Sequence, residues 1–247
     1  MKNDNNKLRV HSIESLGTYD GPGIRMVVFL QGCNFACAYC ANADTIPTKG
    51  GKETDIEELL QLSRSQRPFF GTIGGVTVSG GEPLLQAKSL IELFKKLKAE
   101  KFNTCIDTNG SVFTDDVKEL MEYTDLVLLD IKHIDEEQHI KLTEKRNEKS
   151  LQFADYLKEI DKPIWLRYVL VPGWTDNPDH LHQLGERLKE HTNIEKLEIQ
   201  PYHSLGVHKY EHLDKEYRLK DVTENTPEQL EKAKEIFSQY FKQVIIN

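Results

Sequence analysis

Three cysteines, Cys33, Cys37 and Cys40, fall within eight residues in the spacing C-x3-C-x2-C, and a fourth, Cys105, lies far downstream. Thiolates are soft donors, so three in one loop can converge on a single soft metal centre. Structural zinc calls for four protein ligands, usually from two separated pairs. The second pair is missing here; His11 or His203 could complete a zinc site, but the spacing selects neither. A four-iron cluster held by three cysteines would keep one iron open to a substrate. The three could also be buried small hydrophobes with no ligand at all. A second group, Ser79-Gly80-Gly81-Glu82-Pro83, carries two glycines that let a backbone approach a ligand closely or simply turn a strand into a helix.

Such groups need elements to hold them. Short apolar runs at residues 26–31, 76–79, 104–107, 126–131, 164–171 and 197–200 read as parallel strands covered on both faces. Helical patterns lie between them at residues 87–100, 115–123, 151–160 and 179–191. Thr54-Asp55-Ile56-Glu57 reads as a capping box. Thr226-Pro227 reads as an N-cap and first-turn proline opening a helix over residues 228–240. Strands alternating with helices predict the α/β class and a parallel sheet. About six such units predict a partial (β/α)6 TIM-like barrel rather than a doubly wound sheet, the alternative that the same alternation allows. The distinctive clusters follow the strand ends, at residues 32–42, 80–83, 108–110, Lys132, 172–174 and 201–203. Strand C-termini of βα folds converge on the face where active sites are built.

Composition narrows the function classes. The 247 residues predict a single domain over residues 1–247, with residues 1–7 a flexible polar tail. A net charge of −8 without a basic run argues against general nucleic-acid binding. No apolar stretch approaches the roughly 20 residues of a membrane span. The polar N-terminus does not read as a signal peptide, and four cysteines in so long a chain are not a disulfide framework. The expectation is a cytoplasmic protein.

With Tyr39 before the last cysteine, residues 33–40 resemble the signature of the radical S-adenosylmethionine enzymes, and residues 79–83 resemble that superfamily's glycine-rich motif. An ordered set extends the likeness: HSIE (11–14), GTYDGPGIR (17–25), residues 31–40 and 79–83, DTNG (107–110), LDIK (129–132), RYVLVPGW (167–174) and PYHSLGVHK (201–209). Together these are similar to the glycyl-radical-enzyme activases, above all those of pyruvate formate-lyase, from about residue 8 to the C-terminus.

The resemblance implies that Cys33, Cys37 and Cys40 ligate a [4Fe-4S] cluster and that its fourth iron binds S-adenosylmethionine. It implies contacts to that molecule from Tyr39, Cys40, Ala41, Gly80, Gly81, Glu82, Asp130, Ile131, Lys132 and His203. Asp107, Thr108, the Leu128 carbonyl and Asp130 match a monovalent-cation site. Asp20 matches a residue near the docked glycine, and Arg167 matches the active face. An arginine in an apolar strand requires a carboxylate partner or a substrate contact in any case.

The implied partners are a glycyl radical enzyme (pyruvate formate-lyase) as protein substrate and reduced flavodoxin or ferredoxin as electron donor, with the chain a monomer working without oxygen. Ala41 departs from the histidine common after the last cysteine, Pro83 stiffens its turn, and Cys105 reads as a buried thiol. Three alternatives stand beside this reading: an activase of another glycyl radical enzyme, a radical enzyme acting on a small molecule, and a zinc or iron-sulfur interaction protein. Many activases of the first kind carry a cysteine-rich insert, whereas residues 42–54 contain no cysteine.

Overall fold

The computed structural model describes residues 6–213 and 216–247. Of the polar tail expected over residues 1–7, residues 1–5 lie outside the described residues, and Lys7 already opens a strand. Contacts within the chain define two compact units. The first is Met1–Asn34, Thr45–Thr108 and Val112–Leu128; the second is Phe35–Asp44, Asn109–Ser111 and Leu129–Asn247.

The first unit carries β1 (Lys7–Gly17), β2 (Arg25–Leu30), β3 (Lys52–Asp55), β4 (Gly75–Gly80), β5 (Asn103–Thr108) and the start of β6 (Leu126–Asp130), in the order β3-β1-β2-β4-β5-β6. Its helices are α1 (Ile56–Gln66), α2 (Ala87–Ala99) and α3 (Asp115–Glu122). β1 runs antiparallel to both β2 and β3, whereas β2, β4 and β5 are parallel, with Arg25 opposite Gly75 and Val76 opposite Thr104. Met26, Val27 and Val28 are all fully buried. A strand covered on both faces shows no alternation, which is why it reads as one apolar run. Leu90, Leu93, Phe94 and Leu97 form the buried stripe of α2.

One local expectation fails here. Thr54 belongs to β3, paired opposite Leu8, and its hydroxyl bonds the Lys52 carbonyl, so the N-cap of α1 is Asp55, without a side-chain cap. Sheet pairing wins over the capping box.

The second unit contains the end of β6, then β7 (Ile164–Leu170), β8 (Ile194–Pro201) and β9 (Val244–Ile246), in the order β6-β7-β8-β9. β7, β8 and β9 are parallel, with Arg167 opposite Glu198. Its helices are α4 (Glu136–Thr143), α5 (Glu148–Glu159), α6 (Pro178–Leu188), α7 (Val207–His212) and α8 (Pro227–Phe237). The Thr226 hydroxyl accepts from the Gln229 amide, and the Gln229 side chain accepts from the Thr226 amide, so the capping box of α8 is real. Tyr168 meets Phe237 edge-on at 5.5 Å, tying α8 to β7.

In chain order β4, β5, β6, β7 and β8 are each followed by helix, and β2 leads to α1 by way of β3, an α/β succession that agrees with the six βα units read from the sequence. β1, β3 and β9 add to these units outside the apolar runs read from the sequence: β1 is exposed along much of its length, and β3 is Lys-Glu-Thr-Asp.

Candidate functional site

In the first unit, Cys33 stands just past β2, where the chain is pinned through its backbone. The Gly32 and Cys33 amides donate to the Thr45 and Ile46 carbonyls at 2.8 and 3.1 Å, and Gln86 donates to the Gln31 carbonyl. The glycine-rich turn sits directly against this segment. The Gly81 amide donates to Leu30 O at 2.9 Å and the Glu82 amide to Gly32 O at 2.8 Å. A Cβ on Gly81 would meet Gly32 O at 2.1 Å, and one on Gly80 (φ +114°) would meet Leu30 N at 2.2 Å. The glycines are therefore demanded by the approach of two strand ends, whatever ligand also lies there.

Glu82 is fully buried and acts as a cap. Its carboxylate accepts from the Leu84 amide at 3.0 Å and from the Thr108 hydroxyl at 2.6 Å, closing the short helical turn Pro83–Gln86. Ser79 donates to Asp107 at 2.7 Å. Asp107 and Thr108 are thus tied to β4 and its turn, and the Leu128 side chain is fully buried, consistent with a role only for its carbonyl. Asp20 lies lower: its carbonyl accepts from the Thr77 hydroxyl at 2.6 Å, in the middle of β4. Cys105 is fully buried in β5.

In the second unit, residues 35–41 are held by groups far apart in sequence. The Ala36 and Ala38 amides donate to the Thr143 and Leu142 carbonyls, where α4 ends. Arg218 spans the same place, donating to the carbonyls of Lys141, Leu142 and Ala36, a cation over helix-terminal carbonyls. Tyr210 donates to the Cys37 carbonyl at 3.2 Å, and Lys209 binds Asn42 and Asp44, each at 3.0 Å. A Cβ on Gly206 would touch Ala41 Cα at 2.6 Å. Gly206 and Lys209 fall within a motif read from the sequence, but no spacing pointed to Arg218.

Lys132 pairs with Asp130 at 3.0 Å and lies 5.6 Å from the centre of the Tyr39 ring. Burial alone would lower the Lys132 pKa; the Asp130 carboxylate, with Tyr39 and Cys37, outweighs it and raises the value well above that of an ordinary lysine. Burial raises the Tyr39 phenol likewise, and the Tyr39 hydroxyl is buried without a hydrogen-bond partner among the described residues. Ile131 is buried, its amide donating to the Arg167 carbonyl, while His203 is exposed. Arg167 finds the carboxylate its burial requires: Nε donates to Glu198 at 3.0 Å, and Lys196 reaches the other oxygen at 2.7 Å.

Three observations bear on a soft-metal cluster. Cys33, Cys37 and Cys40 are each half-buried, open enough to receive a ligand. Burial raises the Cys40 thiol pKa, a cost that disappears when a metal replaces the proton. Arg218, Tyr210, Thr143 and Leu142 meet residues 36–38 through backbone atoms, so the sulfur chemistry is not what folds the loop. Among the described residues no three His, Cys, Asp or Glu side chains form a metal-holding group, so the triad rests on donor type, spacing and kinship. The donor set fits an iron-sulfur cluster.

Comparison with known proteins supplies the kinship. Residues 27–184 match the model of the Radical SAM superfamily. The chain is 45% identical over 240 residues to the pyruvate formate-lyase 1-activating enzyme of Escherichia coli K12, covering 96% of this chain and 98% of that enzyme. It is 46% identical over 235 residues to the pyruvate formate-lyase-activating enzyme of Staphylococcus epidermidis, covering 92% and 94%. Among solved structures, a domain of pyruvate-formate lyase-activating enzyme from Bacteroides vulgatus aligns with a TM-score of 0.60 at 24% identity, over 70% of this chain and 99% of that one. Streptococcus suis SuiB bound to its precursor peptide SuiA aligns with a TM-score of 0.68 at 18% identity, over 90% of this chain and 48% of that one. These two likenesses concern the fold.

Proposed function

Because the chain belongs to the Radical SAM superfamily and to the pyruvate formate-lyase activating enzymes within it, we propose the following division of work among its residues. The protein is an enzyme that activates pyruvate formate-lyase. When bound, the [4Fe-4S] cluster would supply one electron to break the sulfonium C–S bond of S-adenosylmethionine, giving methionine and a 5′-deoxyadenosyl radical that would become 5′-deoxyadenosine by taking an α-hydrogen from a glycine of the partner. The observation that carries this reading is the C-x3-C-x2-C loop inside a match spanning 96% of the chain.

Cys33, Cys37 and Cys40 would hold the cluster. Lys132, kept protonated by Asp130, offers N–H donors to the carboxylate of S-adenosylmethionine, and the partnerless Tyr39 hydroxyl offers a polar contact beside it. Cys40, Ala41, Ile131 and His203 complete that surface. Gly80 and Gly81 keep the turn tight, while Glu82 fixes it through Leu84 and Thr108. Asp107, Thr108, the Leu128 carbonyl and Asp130 offer hard oxygens suited to a monovalent cation. Asp20 faces the glycine to be activated. Arg167, neutralised by Glu198, keeps the strand face beneath Ile131 in place.

A radical of this reactivity attacks nearby C–H bonds, so water exclusion and placement by these buried groups are the protein's main contribution. Reduced flavodoxin or ferredoxin delivers the electron, and the chain works as a monomeric single domain in anaerobic cytoplasm. Among the described residues no helix is long and apolar enough to cross a membrane.

The test is anaerobic incubation of the iron-loaded enzyme with S-adenosylmethionine, a reductant and pyruvate formate-lyase. A glycine-centred electron paramagnetic resonance signal on the partner is expected. Cleavage of S-adenosylmethionine with no such signal would reject the assignment of partner.

A further inference from the structure

Among the described residues of the first unit, Arg25 is the bulkiest fully buried side chain. A guanidinium in that position is tolerated only if its donors are met. Nε donates to the Thr77 hydroxyl at 2.6 Å and Nη1 to the Pro22 carbonyl at 3.0 Å. Nη2 reaches the Val76 carbonyl at 3.0 Å, the Asn103 side chain at 2.9 Å and the Asn103 carbonyl at 3.3 Å. One side chain therefore joins the start of β2 to β4, to β5 and to the glycine-rich segment 17–23.

Thr77 passes the connection on. Its hydroxyl accepts from Arg25 and donates to the Asp20 carbonyl at 2.6 Å. The segment lies flat on this pair: a Cβ on Gly21 (φ +123°) would meet Arg25 Cδ at 3.0 Å and Cys105 Sγ at 3.3 Å. Gly17 completes the seat, since a Cβ there would stand 2.9 Å from the Asp20 carboxylate and 2.6 Å from Val27. The backbone of Asp20 is thus set from below by a hydroxyl, and the bare glycine at 17 leaves room for its carboxylate. Thr77 precedes Ser79 by two residues, so at roughly 3.3 Å per residue Asp20 is anchored about 7 Å down the strand from the Ser79–Asp107 pair.

We propose that Arg25 and Thr77 are positioning residues for Asp20, a relay that holds residues 17–23 against β4 so that the Asp20 carboxylate meets the partner's glycine segment in one fixed place. This rests on the reading above that Asp20 faces that glycine. It also gives the buried guanidinium and the glycine spacing of this segment a single reason.

The test uses the iron-loaded enzyme and pyruvate formate-lyase. It measures the initial rate of glycyl radical formation against partner concentration for Thr77→Val, Thr77→Ser, Asp20→Asn and the Thr77→Val/Asp20→Asn pair. Thr77→Val removes both hydrogen bonds of that hydroxyl, and the one to Asp20 alone predicts at least about a fivefold fall in kcat/KM, mainly through KM for the partner. Thr77→Ser should stay within about twofold because it keeps the hydroxyl. The double variant should be no worse than Asp20→Asn alone, since Thr77 acts through Asp20. Multiplying losses, or a Thr77→Val defect with Asp20→Asn silent, would overturn the proposal.

A second readout is independent of catalysis. Amide hydrogen exchange at residues 18–21 should quicken in Thr77→Val and not in Thr77→Ser, and equal protection in both would overturn the relay. A parent enzyme that makes no glycyl radical would refute the function proposed above, while the exchange result would still decide the relay.

Discussion

Replacing Gly81 by alanine puts the link between the glycine-rich turn and the first cysteine under direct load. The new methyl would stand 2.1 Å from Gly32 O, 2.6 Å from Gly32 C and 3.1 Å from Cys33 N. All three are backbone atoms, so no side chain can swing away. Either β4's end or the Gly32–Cys33 segment must retreat, and the Glu82-to-Gly32 hydrogen bond of 2.8 Å goes with it. Overpacking of this kind costs about 1–3 kcal/mol, and the lost hydrogen bond about 1 kcal/mol more. A total near 3 kcal/mol, at roughly 2–4 °C per kcal/mol for a chain of this size, predicts a fall in Tm of about 6–12 °C. Because Cys33 moves with its neighbour, iron per chain after anaerobic loading should fall too. Differential scanning calorimetry and iron analysis read both. A variant with unchanged Tm and full iron would refute the claim that these glycines exist for backbone approach.

Three further outcomes are expected. Burial, aided by His180, lowers the His133 pKa to about 4, below its unfolded value of 6.5; the unfolded chain therefore takes the proton first, so stability is whole above about pH 6.5 and declines as pH falls toward 4. His139 and His191, also lowered by burial, add to the same slope, and in Tm measured against pH, His133→Asn should remove about 2–3 kcal/mol of it. Arg167→Met leaves Glu198, 2% exposed, with only Lys196 to neutralise it, and should cost about 2–3 kcal/mol in denaturant unfolding, less than an ordinary broken buried pair because Lys196 remains. Thr226→Ala removes the cap of α8 and should lower stability by about 1 kcal/mol in the same assay.

The sequence was legible where burial leaves one unambiguous pattern. Met26–Val28 or Leu126–Leu129, covered on both faces, can hardly be anything but central strands. Edge elements were hidden because their signal is local and mixed: β3 is four polar or charged residues that pair only because β1 lies beside them. The same pairing takes Thr54 into β3 and leaves Asp55 as the N-cap of α1. At the site, residue type and order pointed to Cys33, Cys37, Cys40 and the glycine-rich turn, and a partner for Arg167 followed from the cost of burying a charge. The turn's glycines, however, answer first to Leu30 and Gly32, which no one-dimensional reading displays. Tyr210 and Arg218 lie outside every motif, and Arg25 closes the motif of residues 17–25 without its spacing showing what it holds. Each acts on residues brought near by the fold, Arg218 from 182 positions away in sequence.

The central claim is that three sulfurs hold a cluster whose remaining iron is open to S-adenosylmethionine. Electron paramagnetic resonance of the reduced, anaerobically loaded chain, recorded with and without that molecule, tests it most directly. A four-iron signal whose shape changes on addition is predicted, lost in Cys33→Ala, Cys37→Ala and Cys40→Ala but kept in Cys105→Ala. A signal indifferent to S-adenosylmethionine, or one that needs Cys105, would contradict it.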